Sequence, residues 1–94
     1  MGGDQYEGID LTVFESKFFT IDKLPRRQEH RTDFFEVYSH RGNRLAVIRW
    51  YGPWRQYVFF PDRETIWTVG CLSEIQIFIN GLMNERKGKK KVVS

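Results

Sequence analysis

The chain has 94 residues, of which 40% are hydrophobic and 16% aromatic, a composition that excludes a disordered segment and predicts one folded domain. A single cysteine, Cys71, excludes an internal disulfide and predicts a reducing, cytoplasmic location. No stretch approaches the ~20 apolar residues that span a bilayer, so we expect no membrane partner. The net charge of +3 is uneven, because residues 1–22 carry −4 and residues 23–94 carry +7.

The first third of the chain predicts a loose acidic arm, an extended segment and a loop. Residues 1–10 contain few apolar anchors and are predicted to be a flexible acidic N-terminus. Residues 11–21 are rich in β-branched and aromatic side chains, which favours a strand. In a strand the adjacent Phe18 and Phe19 would point to opposite faces. The segment is therefore either covered on both faces or laid across the rest of the domain.

Three clearer strands follow. The predicted strands cover residues 34–39, 44–51 and 54–61, and they are separated by the turn residues Gly42-Asn43 and Gly52-Pro53. Pro61 ends the third strand because it cannot donate to a ladder. Residues 65–69 could add a short fourth strand.

The last element is predicted to be a helix over residues 71–87. Apolar residues recur at helical spacing from Leu72 to Met83, Thr68 or Gly70 can cap the start, and Gly88 can end it. Residues 88–94 are predicted to be a basic flexible tail. The predicted fold is thus a single α+β domain over residues 11–87. Its three-stranded or four-stranded antiparallel sheet packs against one C-terminal helix in the order β-β-β-α.

The central hairpin carries apolar side chains on both faces. A two-residue turn at Gly52-Pro53 pairs Tyr51 with Trp54 and Trp50 with Arg55. One face then contains Ala46, Ile48, Trp50, Arg55, Tyr57 and Phe59, and the other contains Leu45, Val47, Arg49, Tyr51, Trp54, Gln56, Val58 and Phe60. One helix covers only one face. The second face must meet the N-terminal segment, another subunit or a ligand.

Arginines interleaved with aromatic residues favour a nucleic-acid ligand, because aromatic rings stack on bases while guanidinium groups neutralise phosphates. The predicted contact residues are Arg41, Arg44, Arg49, Trp50, Trp54, Arg55 and Tyr57. DNA is favoured over RNA as the partner. The alternative is a protein-interaction module, either a homodimer or an adaptor for a host factor, that uses the same apolar face.

Catalytic and metal-binding signatures are weak. His30 and His40 stand at no spacing typical of metal ligands, and Cys71 has no histidine near it in sequence. No phosphate-binding loop or nucleophile motif occurs. We therefore predict a protein that is not an enzyme and that uses no cofactor and no metal.

A block of residues resembles a recurrent pattern. It comprises WYGPWRQYVFFP over residues 50–61, TIW over 65–67, CLSEI over 71–75 and FI over 78–79. The pattern is similar to that of short uncharacterised proteins of phages, prophages and other mobile elements, and it implies no particular activity. The β-β-β-α layout is also similar to DNA-binding domains of the AP2 type and to amino-terminal domains of phage integrases, by fold analogy alone.

Overall fold

The computed structural model describes residues 11–25 and 31–93, and it describes side-chain surroundings as far as Lys87. The elements in chain order are β1 (Thr12–Glu15), β2 (Thr20–Lys23), β3 (Phe34–Tyr38), β4 (Arg44–Tyr51), β5 (Gln56–Pro61) and α1 (Val69–Val93). The predicted α+β class, with an antiparallel sheet and one C-terminal helix, is confirmed. The predicted strand count is wrong, because the sheet has five strands. The predicted N-terminal arm, residues 1–10, lies outside the described residues.

The sheet is a meander in which each strand pairs with its neighbour in sequence, in the order β1-β2-β3-β4-β5. All four pairings are antiparallel. The pairings place Asp22 beside Glu36, Glu36 beside Val47 and Val47 beside Phe60, so these four residues form one row across the sheet. Cross-strand neighbours in such a row share a face.

The extra strands come from residues 11–21, which fold as a hairpin rather than as one strand. The Ser16 hydroxyl oxygen accepts hydrogen bonds from the backbone N–H groups of Phe18 (3.1 Å) and Phe19 (3.3 Å), which bends the chain between β1 and β2. Phe19 becomes fully buried, while the Phe18 ring lies against Gly70 of α1. The bend therefore lets both rings pack on the helix side, and the segment widens the sheet instead of covering its second face.

The β4–β5 connection is longer than the predicted two-residue turn. Gly52–Trp54 form a 3-10 turn, and Arg55 follows in the left-handed conformation with φ 54°. Tyr51 consequently pairs with Gln56 rather than with Trp54, a register shift of two residues. Because side chains alternate with a period of two, this shift leaves each strand residue on its predicted face.

Residues 65–68 do not form the fourth strand that the sequence allowed. The Thr65 hydroxyl donates a hydrogen bond to the Asp62 carbonyl (2.8 Å) and accepts one from the Trp67 indole N–H (2.8 Å). Trp67 packs edge-on against Phe59, with ring centroids 4.7 Å apart. The segment is therefore a loop that holds the start of α1 against β5.

Helix α1 lies across one face of the sheet and closes the core. The Thr68 hydroxyl accepts the N–H of Cys71 at 3.2 Å and so caps the helix, as one of the two predicted alternatives. The helix continues beyond Gly88, where its end was predicted, to Val93. The buried core beneath it consists of Phe19, Ile21, Phe35, Val37, Ala46, Ile48, Tyr57 and Ile75.

Candidate nucleic-acid interface

The sheet has two unlike faces. We call the face under α1 the inner face and the opposite one the outer face. The core residues of β4 and β5, such as Ile48 and Tyr57, point inward, so Val47, Arg49, Val58 and their alternating neighbours lie on the outer face. All five described strands belong to this one sheet, and the described helix packs on its inner face. Within the described part of the chain, the outer face thus has no second layer.

An aromatic patch occupies the outer face at the hairpin end of β4 and β5. We define it as Arg49, Tyr51, Trp54 and Phe60. The Tyr51 ring lies 5.1 Å from the Trp54 ring and 6.3 Å from the Phe60 ring, both edge-on. The Arg49 guanidinium carbon lies 4.4 Å from the centre of the Phe60 ring. The four side chains therefore form one continuous strip, and its outermost member, Trp54, is 65% exposed.

Two arginines at this end carry charge without a carboxylate partner among the described residues. Arg49 contacts the Phe60 ring through a cation–π interaction, and it is exposed. Arg55 is also exposed, directly after Trp54 at the tip of the hairpin. A non-glycine residue in the left-handed region is strained, so the loop holds Arg55 in an unfavourable backbone conformation. Positive charge thus lies beside the Phe60 ring and next to the exposed Trp54.

Arg44, which the sequence also predicted as a contact residue, is engaged elsewhere. Its guanidinium group donates to Asp62 (2.9 Å) and to Glu36 (3.1 Å), and the hydrogen bonds to these carboxylates raise the pKa of Arg44. Tyr38 donates to the second oxygen of Glu36 at 2.7 Å, which raises the pKa of Tyr38. We call these four residues the polar cluster. It lies at the end of β4 away from the hairpin tip, so Arg44 is separated from the aromatic patch.

Trp50 and Tyr57 lie on the inner face and not with Arg49. Tyr57 is only 6% exposed, and its hydroxyl accepts the backbone N–H of Asp33 at 3.2 Å. Trp50 packs edge-on against Tyr57 with a centroid distance of 5.4 Å, and the guanidinium carbon of Arg86 lies 4.1 Å from its ring. These contacts belong to the packing of α1 on the sheet. The structure therefore removes both rings from the ligand surface that the sequence predicted.

Of the seven predicted contact residues, the structure brings three together at the hairpin end, namely Arg49, Trp54 and Arg55. Arg41 is exposed in the β3–β4 turn, at the opposite end of β4. The prediction omitted Tyr51 and Phe60, although strand alternation already placed both on the same face as Arg49. The signal was therefore present in the sequence, but the prediction combined residues from two faces.

A search of curated proteins finds an "Uncharacterized 9.3 kDa protein" of Acholeplasma phage L2 that is 38% identical over 80 residues. The match covers 84% of this chain and 99% of the phage protein. The chain belongs to the family of this phage protein. No protein-family model and no solved structure matches the chain.

The match confirms the resemblance to short phage proteins. The similarity in layout to AP2-type and integrase amino-terminal domains is not confirmed, and the sheet of this phage-family protein has more strands than that layout assumed. The relative aligns over almost its entire length, so its sequence corresponds to most of this chain.

The described residues form neither a metal centre nor a membrane-spanning helix. In the described ranges, no three His, Cys, Asp or Glu side chains converge where they could hold a metal ion. His40 bonds through Nε2 to the Ser16 carbonyl at 2.9 Å, and His30 lies outside the described residues. In the described part of the chain, no helix is long and apolar enough to cross a bilayer.

Proposed function

We propose that this phage-family protein binds nucleic acid through the aromatic patch and Arg55, without catalysing a reaction. The observation that carries the proposal is the position of this strip. The rings of Tyr51, Trp54 and Phe60 and the Arg49 guanidinium group lie together on the face that α1 does not cover. Arg55 follows Trp54 at the hairpin tip, and neither arginine has a carboxylate partner in the described ranges.

The chemistry of the strip matches both parts of a nucleotide. Aromatic side chains stack on bases and contribute about 1–3 kcal/mol per base, with little dependence on base identity. Arg49 and Arg55 supply the positive charge that phosphates require, and each neutralised phosphate makes binding weaker as salt rises. The polar cluster contributes little, because its one arginine is already paired with Asp62 and Glu36.

The test is a fluorescence-anisotropy titration of labelled oligonucleotides at several salt concentrations. We expect the double variant Arg49→Gln with Arg55→Gln to bind more weakly and to flatten the plot of log affinity against log salt by about 1.4, since each phosphate contact contributes about 0.7 on a single strand. The matched control is Lys17→Gln, which removes one positive charge at an exposed position in the β1–β2 bend. It should leave the slope unchanged.

Two results would contradict the proposal. The first is a loss of binding free energy in the control that equals, per charge removed, the loss in the double variant, which would mean that overall charge and not this strip governs binding. The second is unfolding of the double variant in water, measured by far-ultraviolet circular dichroism, which would make the two arginines structural.

A second candidate function is self-association through the same face. It is favoured by the apolar side chains beside the strip, since Val47 and Val58 both lie on the outer face. The substitution Val58→Lys should have opposite effects on the two functions, strengthening nucleic-acid binding and weakening self-association. It places a cation opposite Arg49, so it should strengthen nucleic-acid binding and steepen its salt dependence. In an apolar dimer the same lysine would be buried, and light scattering would show a shift to monomer.

A further inference from the structure

We infer that the nucleic acid this surface takes is single-stranded. The inference rests on the proposed function and names its ligand class. It is carried by the distribution of charge on the outer face, by the width of the sheet and by the position of the Tyr51 and Trp54 rings at the hairpin tip.

Carboxylates limit the strip on one side. Asp22 and Glu36 continue the row that Phe60 and Val47 begin, so beyond β4 this row of the outer face is acidic, whereas Phe34 lies beside Arg49. With Asp62 these carboxylates outnumber Arg44, the one described arginine bonded to them. Strands are spaced about 4.8 Å apart, which puts Glu36 about 10 Å from Phe60. A single strand can follow β4 and β5 within that distance. A duplex is wider than its ~12 Å major groove, so its phosphates would lie over the carboxylates.

The sheet also prevents the strip from entering a groove. A major groove about 12 Å wide admits a two-stranded ribbon, whereas the five strands span about 19 Å. β3 lies beside β4 only as far as Arg49, which pairs with Phe34. The β4–β5 residue pairs closer to the hairpin tip have no β3 residue beside them. A duplex could therefore receive the hairpin tip with Tyr51 and Trp54. Arg49 and Phe60 would stay outside the groove.

The rings at the hairpin tip favour unpaired bases for a separate reason. In a duplex each base is already stacked between its neighbours, so Tyr51 and Trp54 would find no free base face. In a single strand the bases are free to stack on these side chains. The strip therefore gains its aromatic contacts only with a single strand.

The experiment compares a twelve-nucleotide oligothymidine strand with a twelve-base-pair duplex in the same titration. We expect the single strand to bind at least about tenfold more tightly, the effect of one base stack. Tyr51→Leu keeps an apolar side chain but removes the ring, and it should weaken single-strand binding about fivefold or more while changing duplex binding much less. The matched control is Tyr38→Leu, on the same face within the polar cluster, which should leave both affinities unchanged.

The outcomes separate the two proposals. If the duplex binds as tightly as the single strand, and Tyr51→Leu weakens both equally, the single-strand inference is overturned and the proposed function stands. If neither oligonucleotide binds at low salt, the proposed function itself fails. A loss of single-strand binding in Tyr38→Leu equal to that in Tyr51→Leu would also overturn the inference, since the ring at the strip would then have no special role.

Discussion

Two tryptophans of one hairpin should respond in opposite ways to truncation. Trp50 is half-buried on the inner face, where it contacts Tyr57 and Arg86, whereas Trp54 is 65% exposed and contacts Tyr51. Replacing a buried aromatic side chain by alanine costs 3–5 kcal/mol, and because Trp50 is only half-buried we expect about 3 kcal/mol for Trp50→Ala. For Trp54→Ala the loss is one ring pair, about 0.5–1 kcal/mol.

The assay is urea unfolding followed by far-ultraviolet circular dichroism, which does not depend on the tryptophan removed. With a slope of about 1.5 kcal/mol/M for a chain of this size, Trp50→Ala should lower the unfolding midpoint by about 2 M and Trp54→Ala by less than about 0.7 M. Oligonucleotide affinity should change in the reverse order. Trp54→Ala should weaken binding about fivefold or more, while folded Trp50→Ala should bind normally.

The reasoning would be refuted by equal midpoint shifts in the two variants, because the assignment of the tryptophans to different faces predicts a difference of about 2 kcal/mol. A larger binding defect in folded Trp50→Ala than in Trp54→Ala would refute the position of the ligand surface instead. Each tryptophan serves as the control for the other, since the substitutions are chemically identical.

Three further measurements test other parts of the structure. Arg55→Gly should raise the free energy of unfolding by about 1 kcal/mol, because glycine accepts the left-handed conformation, and yet flatten the salt dependence of binding by about 0.7. Tyr38→Phe should be less stable than the parent at pH 8, with the difference fading as pH rises through the raised pKa of Tyr38, since the phenol stabilises the fold through its bond to Glu36 only while protonated. Gly81→Ala should add about 1 kcal/mol in thermal or urea unfolding, whereas Gly70→Ala should not, because its new methyl group would meet a phenylalanine ring at 3.0 Å.

The sequence predicted the faces of β4 and β5 correctly but not their register. Alternation assigns faces by parity, so the two-residue error in the turn left Arg49 and Tyr51 together. The two-residue turn was predicted because glycine is favoured at the first turn position, although Pro53 is unusual at the second. The structure instead uses a 3-10 turn and a left-handed Arg55, a residue type with no strong turn preference.

Two other features could not be predicted from the sequence, for physical reasons. The bend at Ser16 depends on a side-chain hydroxyl accepting two backbone N–H groups, and no glycine, proline or asparagine marks it. The choice of inner face was equally hidden, because both faces of the hairpin are apolar and only the packing of α1 distinguishes them. The prediction combined residues from both faces, and of these Trp50 and Tyr57 pack on the inner face.

The meander order has a consequence for how the chain acquires its structure. Every strand pairs with the one made just before it, so the sheet assembles from local loop closures that cost little entropy. The helix that covers the apolar face of the sheet follows all five described strands in the chain, so it is synthesised after them. A chain still attached to the ribosome can thus complete its β-layer while Phe19, Phe35 and Ile48 remain in water. A chain terminated before Val69 would therefore be a sheet with an exposed apolar face rather than a shortened version of the native protein.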